Sequence, residues 1–542
     1  MVTTGNRGEE TRRPDNPPHA SLPAQDHNPW LVAAVVTLGA FMEVLDTSIA
    51  NVALPHIAGS LSASQDESAW VLTTYLVANA IVLPISGWMA SWLGRKRFYL
   101  TSVSLFTLFS ALCGLAPALG ALLLFRVLQG LAGGGLQPSV QAILADAFPG
   151  EKRGLAMALY TVTILVAPVL GPTLGGWITD NYSWRWIFYI NIPVGLACAM
   201  LTRMVLEDTP ASIAQRAARR GQPLRVDWTG LCLLSLGLSS LEIVLDKGQE
   251  LDWLGSRFIV VFGVLAVASL TGAAAWEWSC KSPIVNIRLL KERNFLFCCL
   301  LILGLYSCLY ATTFLLPQFM QELLGYTATL AGFVLSPAGL AAMAEVPLVG
   351  YLLTRGVDAR KLILLGRGTI GLSCWWMSLM NLGVAERNIV WPRVFQVLGV
   401  GLTTVPISTI MFRFLPREQS TNAASIYALV RNEGGSLGIA LTSTMLQRRA
   451  QFHRSILAAH ISPSSLKVGA YAHSVQRLLG GAAAGSGYRS LALLYAKLQQ
   501  QAALLAYMDQ FRMLSGLVFC LLPLILFLKR PPRQKSAEMP AH

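Results

Sequence analysis

Few residues in this chain can do acid–base or ionic chemistry, and those few stand in apolar surroundings. Glu43 and Asp46 lie three residues apart in a run that begins at Trp30, so both face one side of a helix. Arg126 sits in a second apolar run, and Glu345, Arg431 and Glu433 in two more. A charge at the centre of a lipid-buried helix costs roughly 2.5–3.5 kcal/mol on insertion scales, so packing alone does not account for these residues. Asp46 can load a proton from one side of a membrane and release it once the site hydrates on the other. The plainer alternative is an acid capping a loop at the helix end. Glu43 could share that proton, titrating with Asp46 as a pair. It could instead attract a cationic substrate or pair with an arginine.

Arg126 is the natural countercharge for a first-run acid, because an unpaired arginine there is expensive; a purely structural bridge is the alternative. Arg431 and Glu433 are two apart on a helix and do not face each other, so Arg431 can instead reach Glu345 across a bundle. Glu345 could contact a lipophilic cation or close an internal salt bridge. Glu242 has no obvious partner. The candidates for contact with a substrate are Glu345, Arg431 and Glu433, with Phe41, Tyr306 and Tyr310 as pocket aromatics. Phe314, Trp375 and Trp376 are further aromatics of the same kind, although most membrane aromatics serve packing or interface anchoring.

Only helices in a membrane can hold such charges apart from water. The 542 residues are 54% hydrophobic and 13% charged, about half the charge of a typical soluble domain and too little to cover a water-facing surface. Apolar runs recur near 30–51, 69–90, 98–117, 121–143, 155–179, 185–206, 228–246, 257–276, 295–316, 328–351, 362–383, 388–412, 424–446 and 511–529. Each is long enough to cross a bilayer as a helix. The fold class is therefore an all-α integral membrane protein with fourteen transmembrane helices. Residues 1–29 read as a disordered tail and not a cleaved leader.

The net charge of +14 would suggest nucleic acid in a soluble protein. Here it follows from alternate loops, carrying Arg95, Lys96 and Arg97, then Lys152 and Arg153, then Arg216 to Arg225, and later Lys281 to Arg293, Arg355 to Lys361, and Arg413 and Arg417. Loops 52–68, 115–120 and 317–327 carry no Lys or Arg. The basic loops and both termini are expected on the cytoplasmic side, and no nucleic acid is called for. The nine cysteines form no C-x-x-C pair and read as small buried hydrophobes.

Three patterns recur at a separation of roughly 265 residues, the mark of an internal repeat. Gly87 and Arg95-Lys96 are echoed by Gly350 and Arg360-Lys361, Arg126 to Gln129 by Arg393 to Gln396, and Gly171 to Gly175 by Gly434 to Gly438. The expected layout is a cytoplasmic tail (1–29), a six-helix bundle (30–206), and a linker with two extra spans (207–276). A second six-helix bundle (277–530) and a cytoplasmic tail (531–542) follow. Small residues let helices approach and slide, and Pro168 and Pro172 interrupt the backbone ladder. Pro168, Gly171, Pro172, Gly175 and Gly176 thus make a bendable or tightly packed span. Gly87, Gly94, Arg95 and Lys96 suit a tight turn latching helices together.

The order of these motifs resembles the major facilitator superfamily, in particular its fourteen-span, EmrB/QacA-like drug:proton antiporter branch. Leu45 to Pro55 is similar to that branch's first-helix signature, Gly87 to Arg97 to its loop between spans two and three, and Leu124 to Gly130 to its fourth-helix arginine motif. Ala167 to Gly176 is similar to the antiporter motif, and Trp184 to Pro193 and Leu324 to Ala328 also match. One departure is Ser91, where the family has an acid. The resemblance implies two six-helix bundles plus an inserted pair, proton coupling through the first-helix acid and Arg126, and lipophilic small-molecule substrates. It implies no cofactor beyond the proton gradient. Branch members work with a periplasmic membrane fusion (adaptor) protein and a TolC-like outer-membrane channel, in the bacterial inner membrane.

Residues 447–510 read as one long outer loop ending in a helical stripe, Leu491, Leu494, Leu498, Leu505 and Met508. It could lie on the membrane or dock the adaptor. A dedicated exporter of one metabolite, siderophore or lipid is the nearest rival function. A membrane enzyme or sensor is remote: no His lies in the spans and no hydrolase, metalloprotease or phosphate-loop motif occurs.

Overall fold

The computed structural model describes residues 28–148, 153–207, 227–280, 283–413, 420–459, 461, 469–470 and 486–529. Both tails, most of the basic 207–226 linker, Lys152, Lys281, Arg417, the glycine-rich part of the 447–510 segment and the Ser91 side chain lie outside the described residues. Each of the fourteen expected runs coincides with a helix: α1 (Pro29–Ser60), α2 (Gln65–Leu93), α3 (Arg95–Gly114), α4 (Leu119–Ala147), α5 (Arg153–Asn181), α6 (Trp186–Val205), α7 (Trp228–Lys247), α8 (Arg257–Ser279), α9 (Arg293–Glu322), α10 (Ala328–Thr354), α11 (Ala359–Met377), α12 (Arg387–Arg413), α13 (Ser420–Ala459) and α14 (Ser486–Cys520). Among the described residues, eleven helices are long and apolar enough to cross a membrane. Of the other three, α11 and α13 carry Arg367, Arg431 and Glu433 in mid-helix.

The helix starts follow local rules. Pro29 opens α1, where its missing N–H costs nothing, and Asn28 caps Trp30. Ser64 and Glu67 form a reciprocal capping box on α2. Asp227, Glu292, Thr327 and Asp358 cap α7, α9, α10 and α11. Gly94 joins α2 to α3 with φ +89°, and Gly356 lies between α10 and α11 with φ +82°. Both conformations favour glycine, and the two glycines occupy corresponding places before Arg95-Lys96 and Arg360-Lys361.

Among the described residues, two large hydrophobic cores form, besides a small cluster of Val349, Leu362 and Val405. One gathers residues between Val32 and Leu206. The other gathers residues between Leu234 and Leu528, including Leu234 and Ala273 of the extra pair α7–α8. The two groups of helices meet along two seams. At one, α5 runs against α10, with Gly332 against Thr173 and Gly350 beside Leu155. At the other, α2 and the second half of α4 face α13. The helix α7 packs on both α2 and α13 and so straddles that second seam.

The helix α5 continues through Pro168 and Pro172 to Asn181. Three expectations need correction. The 447–510 segment is not one loop: α13 runs on to Ala459 and α14 begins at Ser486. Arg449 and His453 on α13 both bond the Asp509 carboxylate of α14, each at 2.7 Å, tying the two extensions together. The last run stops short of 529 as an α-helix, giving way to a 3-10 turn at Leu522–Phe527 beside Pro523. Seven of the nine cysteines are buried or half-buried, but Cys232 and Cys520 are exposed.

Candidate functional site

Asp46 is the centre of a fully buried polar cluster in the first bundle. Its Oδ2 lies 2.6 Å from Arg126 Nη1, while Oδ1 accepts from Asn191 Nδ2 at 2.6 Å and Gln129 Nε2 at 3.1 Å. Arg126 also donates Nε to the Val71 carbonyl at 3.0 Å and Nη1 to Gln129 Oε1 at 2.9 Å. Its guanidinium lies over the Tyr75 ring at 4.3 Å. A buried ion pair is favoured when further hydrogen bonds occupy its remaining donors and lone pairs; here four helices contribute, leaving Arg126 Nη2 without a partner among the described residues. The α1 acid, the α4 Arg-x-x-Gln turn, the α2 carbonyl and the α6 asparagine all converge on one carboxylate. The sequence brought Asp46 and Arg126 together in expectation but missed Gln129 and Asn191. The signal was present, since both lie inside motifs quoted for other reasons.

The second half repeats the frame without the acid. Arg393 Nη1 meets Gln396 Oε1 at 2.6 Å, as Arg126 meets Gln129. Where Asp46 would answer, Arg393 finds the hydroxyls of Thr312 and Thr313 at 2.8 and 2.7 Å.

Immediately after Asp46, α1 is locked onto α5. Ser48 Oγ donates to the Pro168 carbonyl at 3.2 Å. A side chain at Gly171 would collide with Ser48, and one at Gly175 would press on Ile49 backbone. Gly176 is buried, and its carbonyl accepts from Thr179. The second half repeats this as well: Ser307 Oγ donates to the Gly434 carbonyl at 2.7 Å, and Gly434 and Gly438 meet the α9 backbone.

A second polar cluster lies between the halves. Arg431 Nη1 donates to Tyr160 Oη at 2.8 Å, and its guanidinium lies 5.7 Å from the Tyr306 ring centre. Tyr160 donates in turn to Gln137. Glu43 accepts from Asn79 at 3.0 Å and faces Gln137 and Arg431. Tyr310 stands 6.2 Å from Tyr306 and packs against Gly435.

The expected Arg431–Glu345 pairing does not form. Glu345 is buried against Gly401 of α12, and neither of its oxygens has a hydrogen-bond partner among the described residues. Glu433 is within electrostatic reach of Glu242 of α7, and neither of its oxygens has a hydrogen-bond partner among the described residues. Phe41 is half-buried on the first core, away from this cluster's hydrogen bonds. Trp375 and Trp376 are exposed on the outside of α11 and line no internal pocket.

At the bundle end carrying the α2–α3 turn, Gly87 is buried in α2, Arg95 pairs with Asp146 and bonds the Ala142 carbonyl of α4 at 3.3 Å, and Lys96 bonds the Arg203 carbonyl of α6 at 3.0 Å. Asp146 supplies a partner carboxylate that the sequence reading did not anticipate.

Two sets of helices with buried charges inside and at their seam have the build of a membrane transporter, not an enzyme. The chain belongs to the major facilitator superfamily, whose model matches residues 36–439. It is 35% identical over 502 residues to the multidrug export protein EmrB of Escherichia coli K12, covering 92% of this chain and 95% of that one. It is 38% identical to the protein of the same name from Haemophilus influenzae, over 80% and 83% of the two chains. It is 35% identical to the fatty acid resistance protein FarB of Neisseria gonorrhoeae, over 91% and 95%. The fold also matches a bacterial homologue of the human lysosomal transporter Spinster, with TM-score 0.53 and 17% identity, over 93% of this chain and 98% of that one.

Proposed function

We propose that this chain is a proton-driven exporter of lipophilic, chemically varied compounds, working by alternating access. The observation that carries the reading is the Asp46–Arg126 pair: one carboxylate, buried among four helices, on the same turn of α1 that is locked to α5 through Ser48. Protonating Asp46 removes the charge that Arg126, Gln129 and Asn191 converge on. That loosens α1 against α4 and α6 and changes the balance between the two orientations of the halves. Substrate in the seam, among Arg431, Tyr306, Tyr310 and Glu43, biases the same balance the other way, as linkage requires. Each proton entering down a 100 mV potential supplies about 2.3 kcal/mol.

The names of the Escherichia coli and Haemophilus influenzae relatives support a broad substrate range. The fatty acid resistance protein supports the rival reading of a dedicated lipid exporter. The basic loops support a reading with both termini in the cytoplasm of a bacterial inner membrane. On this reading the projecting ends of α13 and α14 meet a periplasmic adaptor that leads to a TolC-like channel. Their exposed Phe452, Ile456, Leu491, Leu493 and Tyr495 support a docking role.

The test is efflux from proteoliposomes under an imposed pH gradient. Asp46→Asn keeps a hydrogen-bonding side chain beside Arg126, and is expected to fold yet lose gradient-driven efflux. Undiminished efflux would remove the assignment.

A further inference from the structure

Glu242 is 1% exposed on α7, and its Oε1 accepts from Ser436 Oγ of α13 at 2.8 Å. Its Oε2 is buried with no hydrogen-bond partner among the described residues. One turn before Ser436, on the same face of α13, Glu433 presents two further buried oxygens without a partner. The two carboxyls lie within electrostatic reach of each other.

Among the described residues, the surrounding helices show no cation bonded to either carboxyl. On α2, Trp70 and Thr73 face this region, and neither is charged; Thr73 donates to Asp246. On α13, Arg431 is turned to Tyr160, and Gln447 to Gln249. On α8, Glu277 lies at the opposite end of the pair, near Asp227. On α7 itself, Lys247 is bonded to Glu250 at 2.6 Å. Two ionised carboxylates in such a place would each lack solvation and would repel one another. One added proton removes the repulsion and supplies the donor that the orphaned oxygens lack.

We infer that Glu242 and Glu433 hold a proton between them, forming a second proton-binding site across the seam where the extra helix α7 joins the two halves. This rests on reading the chain as a proton-coupled exporter. Asp246, one turn further along α7, is exposed, and Glu250 beyond it is exposed as well. They make a short file of carboxyls from the end of α7 inward, ending at Glu433 beside the central cluster. The pair joins α7 to α13, so its proton ties the extra helices to the opening and closing of that seam.

The proton is read by infrared difference spectroscopy of the purified full chain in nanodiscs, between alkaline and acidic pH, with no substrate present. A carbonyl-stretch band of a buried, protonated carboxylic acid is expected in the unaltered chain and in Asp46→Asn. It should be lost in Glu242→Gln and in Glu433→Gln alike. A band unchanged in both glutamate variants overturns the proposal, as does its absence from the unaltered chain. If Glu242→Gln is not recovered folded, Ser436→Ala removes the hydroxyl on Oε1 and should shift the same band. A band abolished by sodium at fixed pH would make the pair a metal-cation site and overturn the proton assignment. In proteoliposomes, Glu242→Gln should lower the protons exchanged per substrate by one. Failure of gradient-driven transport by the unaltered chain with the infrared result intact would sink the exporter reading and leave the proton pair standing.

Discussion

Arg126 and Arg393 hold corresponding places in the two halves, each bonded to a glutamine three residues on, yet Arg126 closes on the Asp46 carboxylate and Arg393 on two threonine hydroxyls. The duplicated frame survives while the chemistry has been kept on one side. Removing one partner of a buried ion pair strands the other charge, at about 3–5 kcal/mol, whereas a buried charge without a counterion carries a desolvation cost that an apolar side chain of similar size does not. Arg126→Met is therefore expected to destabilise the protein by about that amount. Arg393→Met should leave stability unchanged or raised, because Thr312 and Thr313 already bond carbonyls of their own helix. Thermal unfolding of the two variants in detergent checks the contrast; equal losses would contradict it.

The contact between Ser48 and the Pro168 carbonyl has a backbone cause. Pro172 has no N–H to offer the carbonyl four residues earlier, and Ser48 supplies the missing donor. Ser48→Ala should cost about 1–3 kcal/mol, the penalty of a buried acceptor left unmade. Gly171→Ala should abolish efflux by driving α1 off α5. Adding Ser48→Gly should restore part of it, because the side chain in the way is gone. Transport by the single and double variants decides the point.

At the α2–α3 turn, Arg95 and Asp146 are partly exposed, so their pairing contributes only about 0–1 kcal/mol to stability. Arg95→Ala and Asp146→Asn should therefore fold normally. If the contact latches helix ends during the cycle, both should slow efflux to the same degree, and the double variant should be no slower than either. A double variant with twice the loss would show two independent roles.

Glu345 and Arg431 share no contact, so their effects should add. Glu345→Gln and Tyr160→Phe, the latter removing the hydroxyl that Arg431 holds, are expected to change the apparent KM for substrate independently. Their combination should multiply the two effects. A combined effect well below the product would bring back an Arg431–Glu345 link.

The helices were legible in the sequence because a span in lipid must be apolar over a fixed length. The repeat was legible because Gly87, Arg126 and Gly171 serve close helix packing and buried charge that both halves need. The partners of those charges were harder to read. Asn191, Gln129 and Asp146 are ordinary polar residues whose meaning comes from which helices lie side by side, and spacing along one helix does not reveal that. Arg431 was assigned to Glu345 because charge suggested it, whereas Tyr160 of the other half was closer. The interruption of the α5 ladder by proline could be read from the sequence, but the Ser48 hydroxyl that meets the freed Pro168 carbonyl could not.

At 40 and 35 residues, α13 and α14 measure about 60 and 52 Å at 1.5 Å per residue, against roughly 30 Å of hydrocarbon. Tied together at Asp509, the two helices are each longer than one hydrocarbon thickness requires. Anything that engages the tip takes hold of a lever whose root is the helix bearing Arg431 and Glu433. On the exporter reading proposed above, a partner held there would act on the seam through a single rigid helix.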